Sequence, residues 1–406
     1  MTVEETARDA SLRACLTGVK IAHVTTVDAS LRFQLLNQLR AVQDAGFELT
    51  TISAEGSEVP ALTAVGIQHV AVAMSRKISP LGDLVSLWRL YRAMRTERFS
   101  IVHTHTPKAG LLGQLAATLA GTPIVVNTVH GFYFHENTPP LWRTFFVVLE
   151  RLAALNSDII LSVNREDVHT AIHEHICPPE KIKYIGEGID VVRFDPDQVE
   201  PARVEMKRTE LRLPEGAPVI GFVGRQVREK GLLDLFAAAR LVRDQVPDAH
   251  FVFIGPVDHA KADAVYPEEA DAFGIADVSR FTGLRLDLPE LYSLMDVFVL
   301  PSYREGFGRA LIEASAMRKP TVASNIRGCR EAVADGRTGF LFPVGNAVEM
   351  AERIVTLLSD QGLAARMGRE GRAMVLESYD ERSVNSSILH EYCRLMQQKE
   401  VPARPQ

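Results

Sequence analysis

The stretch Val297-Phe298-Val299-Leu300-Pro301-Ser302-Tyr303-Arg304-Glu305-Gly306-Phe307-Gly308-Arg309-Ala310-Leu311-Ile312-Glu313 decides the fold class. Its first four residues form an apolar run of buried-strand length, Pro301-Ser302 ends that run, and a helix is expected from near Gly308. Two carboxylates, Glu305 and Glu313, lie eight residues apart across the loop-to-helix junction. A buried strand feeding a helix is the unit of an open α/β sheet. Such sheets bind ligands beyond the carboxyl ends of their strands, where helix N-termini attract anions. An ordinary strand-loop-helix with two solvated acids reads the same way, so the surrounding chain decides between them.

Outward from this stretch the pattern repeats. Val219-Ile220-Gly221-Phe222-Val223 is a second short strand, followed by a helix over 232–246 and a strand from His250 to Ile254. Further strands are expected near 278–281 and 320–323. In the first half, strands at 19–25, 47–53, 67–72, 101–104 and 124–129 alternate with helices over 30–45, 82–96 and 108–120. Gly46 supplies a stop for the first helix. Strands alternating with helices imply βαβ units and parallel sheets.

At 406 residues the chain exceeds one ordinary core. The reading is α/β, two Rossmann-like doubly wound domains facing across a cleft. The expected order is an N-terminal tail, 1–18, and a first domain, 19–190. A linker, 191–216, carries Pro196, Pro201 and Pro214. A second domain, 217–380, ends in helices near 346–358 and 361–377, and a last helix, 381–398, crosses back to the first domain.

Composition narrows the function. Hydrophobic content of 46% and charged content of 24% are those of a globular protein. A net charge of −6 argues against a nucleic-acid partner. Cys15, Cys177, Cys329 and Cys393 form no CxxC pair, so reduced thiols in a cytoplasmic protein are expected. Residues 1–17 carry Glu4, Glu5, Arg8, Asp9 and Arg13 and lack a signal-peptide core. No run reaches the ~18–20 apolar residues of a membrane span. The expected location is cytoplasmic, with peripheral contact at the inner face of the cell membrane.

Several residues could carry chemistry. Arg225 and Lys230 follow the strand 219–223 beside a helix N-terminus, where a guanidinium fork and an ammonium suit a diphosphate; a solvated basic turn is the plain alternative. His130-Gly131 ends the strand 124–129, where a His can hydrogen-bond a sugar hydroxyl or shuttle a proton, though a lone His is more often structural. His103-Thr104-His105 is set aside as a metal site, because strand alternation is expected to separate the pair and no third ligand is evident. Asp195-Pro196-Asp197, the one DxD, lies in the linker and is discounted. GxGxxG after the first strand, GxxxxGK[ST] and GxSxG are absent, against dehydrogenases, P-loop NTPases and α/β-hydrolases. Arg89, Arg92 and Arg95 line one helix face, with Arg76, Lys77, Trp88 and Tyr91 nearby. That face is either solvated or set against anionic lipid.

Together these segments resemble the retaining glycosyltransferases of family 4, which have the two-Rossmann-domain GT-B fold. The matching signatures are His130-Gly131, Gly224-Arg225 with Glu229-Lys230-Gly231, Pro301-Ser302 with Glu305-Gly306-Phe307-Gly308, and Glu313. The resemblance runs from about residue 19 to 398. Val24-Thr25-Thr26-Val27 with Ser30-Leu31-Arg32-Phe33, and His103 to Gly110, look like the bacterial branch that builds capsule, exopolysaccharide and lipid-linked oligosaccharide.

The resemblance implies that Glu313 accepts from ribose hydroxyls and that Glu305 holds the donor sugar. It implies that Arg225 and Lys230 neutralise the diphosphate without a metal, and that His130 faces the transferred sugar. Backbone N–H groups of Phe307, Gly308, Arg309 and Ala310 would meet the donor, and the loop at Gly283-Leu284 would read the base. Where many members carry Gly-Gly after the first strand, this chain has Thr25-Thr26-Val27-Asp28, so acceptor roles for Thr26, Arg32 or Lys108 are guesses. No cofactor is implied. The donor would be a nucleotide-diphosphate sugar, most readily a UDP-sugar, and the acceptor a polyprenyl-diphosphate-linked or soluble glycan. Rival readings are a nucleotide-sugar epimerase of the same fold and a non-catalytic nucleotide-sugar-binding subunit.

Overall fold

The computed structural model describes residues 16–401 apart from 76, 78, 136, 137 and 260. The tail expected over 1–18 lies outside them as far as residue 15, as does Arg76. The chain divides into two units. One holds the described residues up to Gly186 together with those from Glu381 onward; the other spans Glu187–Asp380.

The first unit is built on β1 (Lys20–Val27), β2 (Glu48–Ala54), β3 (Gln68–Ala71), β4 (Ile101–Thr104), β5 (Ile124–Val129), β6 (Ile159–Ser162) and β7 (Ile182–Tyr184). All pair in parallel, in the order β3-β2-β1-β4-β5-β6-β7. Successive side chains on a strand point to opposite faces, so both faces need cover. Ile21, Ile101, Ile124 and Val126 pack under Leu36, Leu39 and Val42. Their neighbours Ala22, Val102 and Val125 pack under Leu90, Met94, Ala116 and Ala117.

The helix expected over 30–45 is two helices, Asp28–Phe33 and Leu36–Asp44. Neither Pro nor Gly breaks it. The Leu35 N–H reaches back to the Ser30 carbonyl at 3.2 Å, and Leu35 is buried at the bend. The last helix, Glu381–Gln398, belongs to the first unit, with Ile388, Tyr392, Leu395 and Met396 in the same core as Leu36 and Leu39. Lys183 pairs with Glu391, and the Asn37 amide donates to Glu381 at 2.9 Å.

The second unit contains β8 (Val219–Val223), β9 (His250–Ile254), β10 (Ser279–Gly283), β11 (Val297–Leu300), β12 (Thr321–Ser324) and β13 (Gly339–Phe342). These form a second parallel sheet, in the order β10-β9-β8-β11-β12-β13. Strand order reverses between β8 and β11, the kind of place where open α/β sheets bind ligands.

Residues 191–216 are part of this second unit rather than a spacer. They include a helix, Pro201–Glu210, that packs on the helix Leu288–Leu294. Arg372 ties the same stretch down by donating to the Phe194 carbonyl at 3.1 Å and to Asp195 at 2.8 Å. Proline at the first helical position marks a start here, not a linker.

Candidate active site

The loops after β8 and β11 meet at one point. Gly231 has φ +72°, and a Cβ there would lie 2.0 Å from the Pro301 carbonyl oxygen, so glycine lets the two backbones touch. The Tyr303 N–H donates to the Glu229 carbonyl at 2.9 Å, and the Arg304 guanidinium holds the Glu229 carboxylate at 2.6 Å. Across this seam the Lys230 ammonium meets the Glu305 carboxylate at 2.5 Å. The same carboxylate oxygen accepts from the Ser302 hydroxyl at 2.8 Å. Two side chains to which the resemblance gives separate duties, phosphate and sugar, are thus partners of each other. Ser302 aims the acid.

Arg225 also follows β8, and its guanidinium donates to Asp258 at 2.6 Å. Glu313 sits on the helix Arg309–Ala316 and is buried. The Tyr292 hydroxyl donates to one of its oxygens at 3.0 Å, and Arg309, one turn earlier, approaches the other at 3.4 Å. Burial raises the Glu313 carboxyl above the ordinary range, while Arg309 and the Tyr292 hydroxyl pull it back. The supporting residues Asp258, Ser302, Tyr292 and Glu229 have no spacing signature of their own. Ser302 and Glu229 fall inside the signatures read from the sequence, next to Glu305 and Lys230; Asp258 and Tyr292 do not.

Of the backbone donors named in the sequence, Gly308 N–H goes to the Gly328 carbonyl at 3.0 Å and Arg309 N–H to the Phe307 carbonyl at 2.9 Å. Phe307 and Ala310 remain as candidates. Gly283, at φ +66°, closes β10, and its carbonyl accepts from Gly255 N–H at 2.9 Å; Leu284 beside it is exposed. The DxD is taken up by ion pairs, Asp195 with Arg372 and Asp197 with Arg318 at 2.6 Å. Arg225, the Lys230–Glu305 pair and the N-terminus of the helix Arg309–Ala316 all follow strands at the topological switch point, residue types suited to an anionic ligand that also carries hydroxyls.

In the first unit, His130 follows β5 and its ring contacts Gln34 and His105. The loop expected at Thr25-Thr26-Val27-Asp28 is not one, since β1 runs to Val27 and the next helix begins at Asp28. Thr26 and Thr106 hydroxyls lie 2.7 Å apart, and Asp28 accepts from Ala29 and Glu58 N–H groups. Lys108 is paired with Asp83 at 2.7 Å.

The separation expected within His103-Thr104-His105 does not occur. Residues two apart on a strand share a face, and the two rings lie 4.1 Å apart between centroids. His23, on the neighbouring β1, is the third imidazole that the sequence order concealed.

Known proteins resemble both units. Residues 204–374 match the family described as glycosyl transferases group 1, and residues 32–188 match a glycosyl transferase 4-like domain. A UDP-Gal:alpha-D-GlcNAc-diphosphoundecaprenol alpha-1,3-galactosyltransferase of Escherichia coli is 30% identical, over 85% of this chain and 89% of its own. The capsular polysaccharide biosynthesis glycosyltransferase CapM of Staphylococcus aureus is 27% identical, over 94% of this chain and 98% of its own. Among solved structures, Anabaena HepE in complex with UDP and glucose aligns with a TM-score of 0.79 at 21% identity, covering 92% of this chain and 99% of that one.

Proposed function

Because this chain belongs to the group 1 glycosyltransferases, we propose that it moves a sugar from a UDP-sugar to a polyprenyl-diphosphate-linked glycan in the assembly of a bacterial surface polysaccharide. The observation that carries this is the Lys230–Glu305 pair at the carboxyl ends of β8 and β11. Such a pair offers sugar hydroxyls an acid already oriented by Ser302 and offers a diphosphate the Lys230 ammonium.

In this reading the donor diphosphate takes up Lys230 and Arg225, and Glu305 turns its free oxygen to the sugar. Glu313 accepts from ribose. The bond from the anomeric carbon to the diphosphate oxygen breaks as the acceptor oxygen bonds to the same face. The acceptor proton passes to the departing phosphate oxygen, and bonding on the same face gives retention. Arg225 and Lys230 stabilise the charge that develops on the leaving group, a term commonly among the largest in catalysis. The two cations take the role a metal would otherwise have. The relatives named for diphosphoundecaprenol acceptors support the lipid-linked substrate.

Peripheral membrane contact belongs to the same proposal. Helix Pro80–Glu97 leaves Leu81, Leu84, Val85 and Trp88 exposed beside Arg89, Arg92 and Arg95. Helix Pro140–Leu155 leaves Leu141, Phe145, Val148, Leu152 and Leu155 exposed on one face. The helix Pro107–Ala120 packs against both. Apolar side chains flanked by arginines suit an anionic lipid surface. Sugar transfer is tested by NMR of the product formed in EDTA: an unchanged anomeric configuration is expected, and an inverted product or a requirement for metal refutes the mechanism.

A further inference from the structure

His130 is the end of a hydrogen-bonded chain that runs through the first unit to its C-terminal helix. The Gln34 amide nitrogen lies 3.1 Å from His130 Nδ1. His130 Nε2 lies 3.4 Å from His105 Nδ1, and His105 Nε2 lies 2.9 Å from His23 Nδ1. His23 Nε2 is 3.5 Å from the Tyr392 hydroxyl, which is 2.5 Å from His103 Nδ1. His103 Nε2 ends the chain on the Thr128 hydroxyl at 2.7 Å. His23, His103, His105, Thr128 and Tyr392 are all buried.

One end fixes the direction of every bond. An amide nitrogen can only donate, so His130 Nδ1 accepts, and the single proton of the neutral ring sits on Nε2. His105 then accepts on Nδ1 and donates from Nε2 to His23. His23 donates from Nε2 to the Tyr392 oxygen, Tyr392 donates to His103 Nδ1, and His103 donates from Nε2 to Thr128. Every ring needs one proton and has one, with no ring required to be charged. Burial favours that neutral state for His23, His103 and His105.

We infer that Gln34, His105, His23 and Tyr392 are positioning residues that fix His130 as the neutral Nε2–H tautomer. With both ring nitrogens engaged, His130 does not shuttle a proton. The inference rests on the transferase reading only in making His130 a site residue. It also explains why His23, His103 and His105, whose spacing suits a metal ion, need none: their ring nitrogens already bond within the chain.

The test is histidine ring 15N NMR of the full-length protein at pH 7.5, with resonances assigned by single-histidine variants. Wild-type His130 is expected with Nε2 protonated and Nδ1 bare. Gln34 is exposed, so changing it leaves the core intact. In Gln34→Lys, a donor-only replacement, the tautomer is expected to persist. In Gln34→Glu, an acceptor-only replacement, His130 is expected to carry its proton on Nδ1, and kcat falls about tenfold at an unchanged donor KM. A wild-type His130 protonated on Nδ1 or on both nitrogens overturns the inference. So does a Gln34→Glu spectrum identical to wild type, a switched tautomer at unchanged kcat, or a stoichiometric metal in the purified protein. The tautomer is read without turnover, so a failed transferase assay leaves this result standing.

Discussion

Lys230 and Glu305 form a salt bridge, 2.5 Å between Nζ and Oε1, where the loops following the adjacent strands β8 and β11 meet. Both side chains are mostly buried, at 18% and 12% exposure. A diphosphate can take the place of Glu305 beside Lys230, and sugar hydroxyls can donate to Glu305 where Lys230 now does.

Glu305→Gln is expected to lower kcat by about 10²–10³-fold while leaving UDP affinity within about threefold, because the acid serves the sugar end of the donor. Lys230→Ala should weaken UDP binding as well. The double variant should be little worse than the poorer single one, since the two act as a unit. Isothermal titration with UDP, beside steady-state rates, checks all three.

Tyr292→Phe removes the hydroxyl that donates to buried Glu313. A hydrogen bond to a charged group contributes about 1.5–3 kcal/mol. UDP affinity is therefore expected to drop roughly tenfold, with kcat less affected. A UDP dissociation constant equal to wild type would separate Glu313 from the ribose.

Much of this site was legible in sequence because strand ends punctuate it. The run Val297–Leu300 stops at Pro301-Ser302, and Val219–Val223 stops at Gly224-Arg225, so local sequence alone places the strand-end loops. Three strands escaped notice. These are β6, β7 and β13, and length is not the reason, since β4, β11 and β12 also have four residues and are legible. The helix Pro140–Leu155 was hidden differently, because it is apolar on its exposed face as well as its buried one. Local sequence also could not pair Lys230 with Glu305, or bring His23 to His103 and His105, since chain topology alone makes those contacts.

Acid should destabilise the protein through its buried histidines. His23 is lowered to about 3, and His103 and His105 lie well below their ordinary 6.5, in each case chiefly through burial. The folded state keeps them neutral while the unfolded chain takes up protons. Their contribution is thus present above 6.5 and is lost progressively as pH falls from that value toward the folded ones, by about 1.4 kcal/mol per pH unit for each histidine. Thermal melts from pH 7.5 to 5 should show Tm falling by several degrees, with a shallower slope in His23→Asn. A Tm independent of pH over that range would count against the buried cluster.

Charge reversal of Arg89, Arg92 and Arg95 to Glu should reduce co-sedimentation with anionic vesicles at least tenfold, and Leu141→Ser with Leu152→Ser should reduce it further. Binding to neutral vesicles should be weak throughout. Unchanged co-sedimentation of these variants would remove both helices from the proposed membrane contact.

The most direct measurement is release of UDP from a panel of UDP-sugars, with and without polyprenyl-diphosphate-linked acceptors, by wild type and Glu305→Gln. Acceptor-dependent release by the wild-type protein, largely lost in the variant, is the expected result. Epimerised donor without acceptor, no turnover on any pair, or equal rates for the two proteins would contradict it.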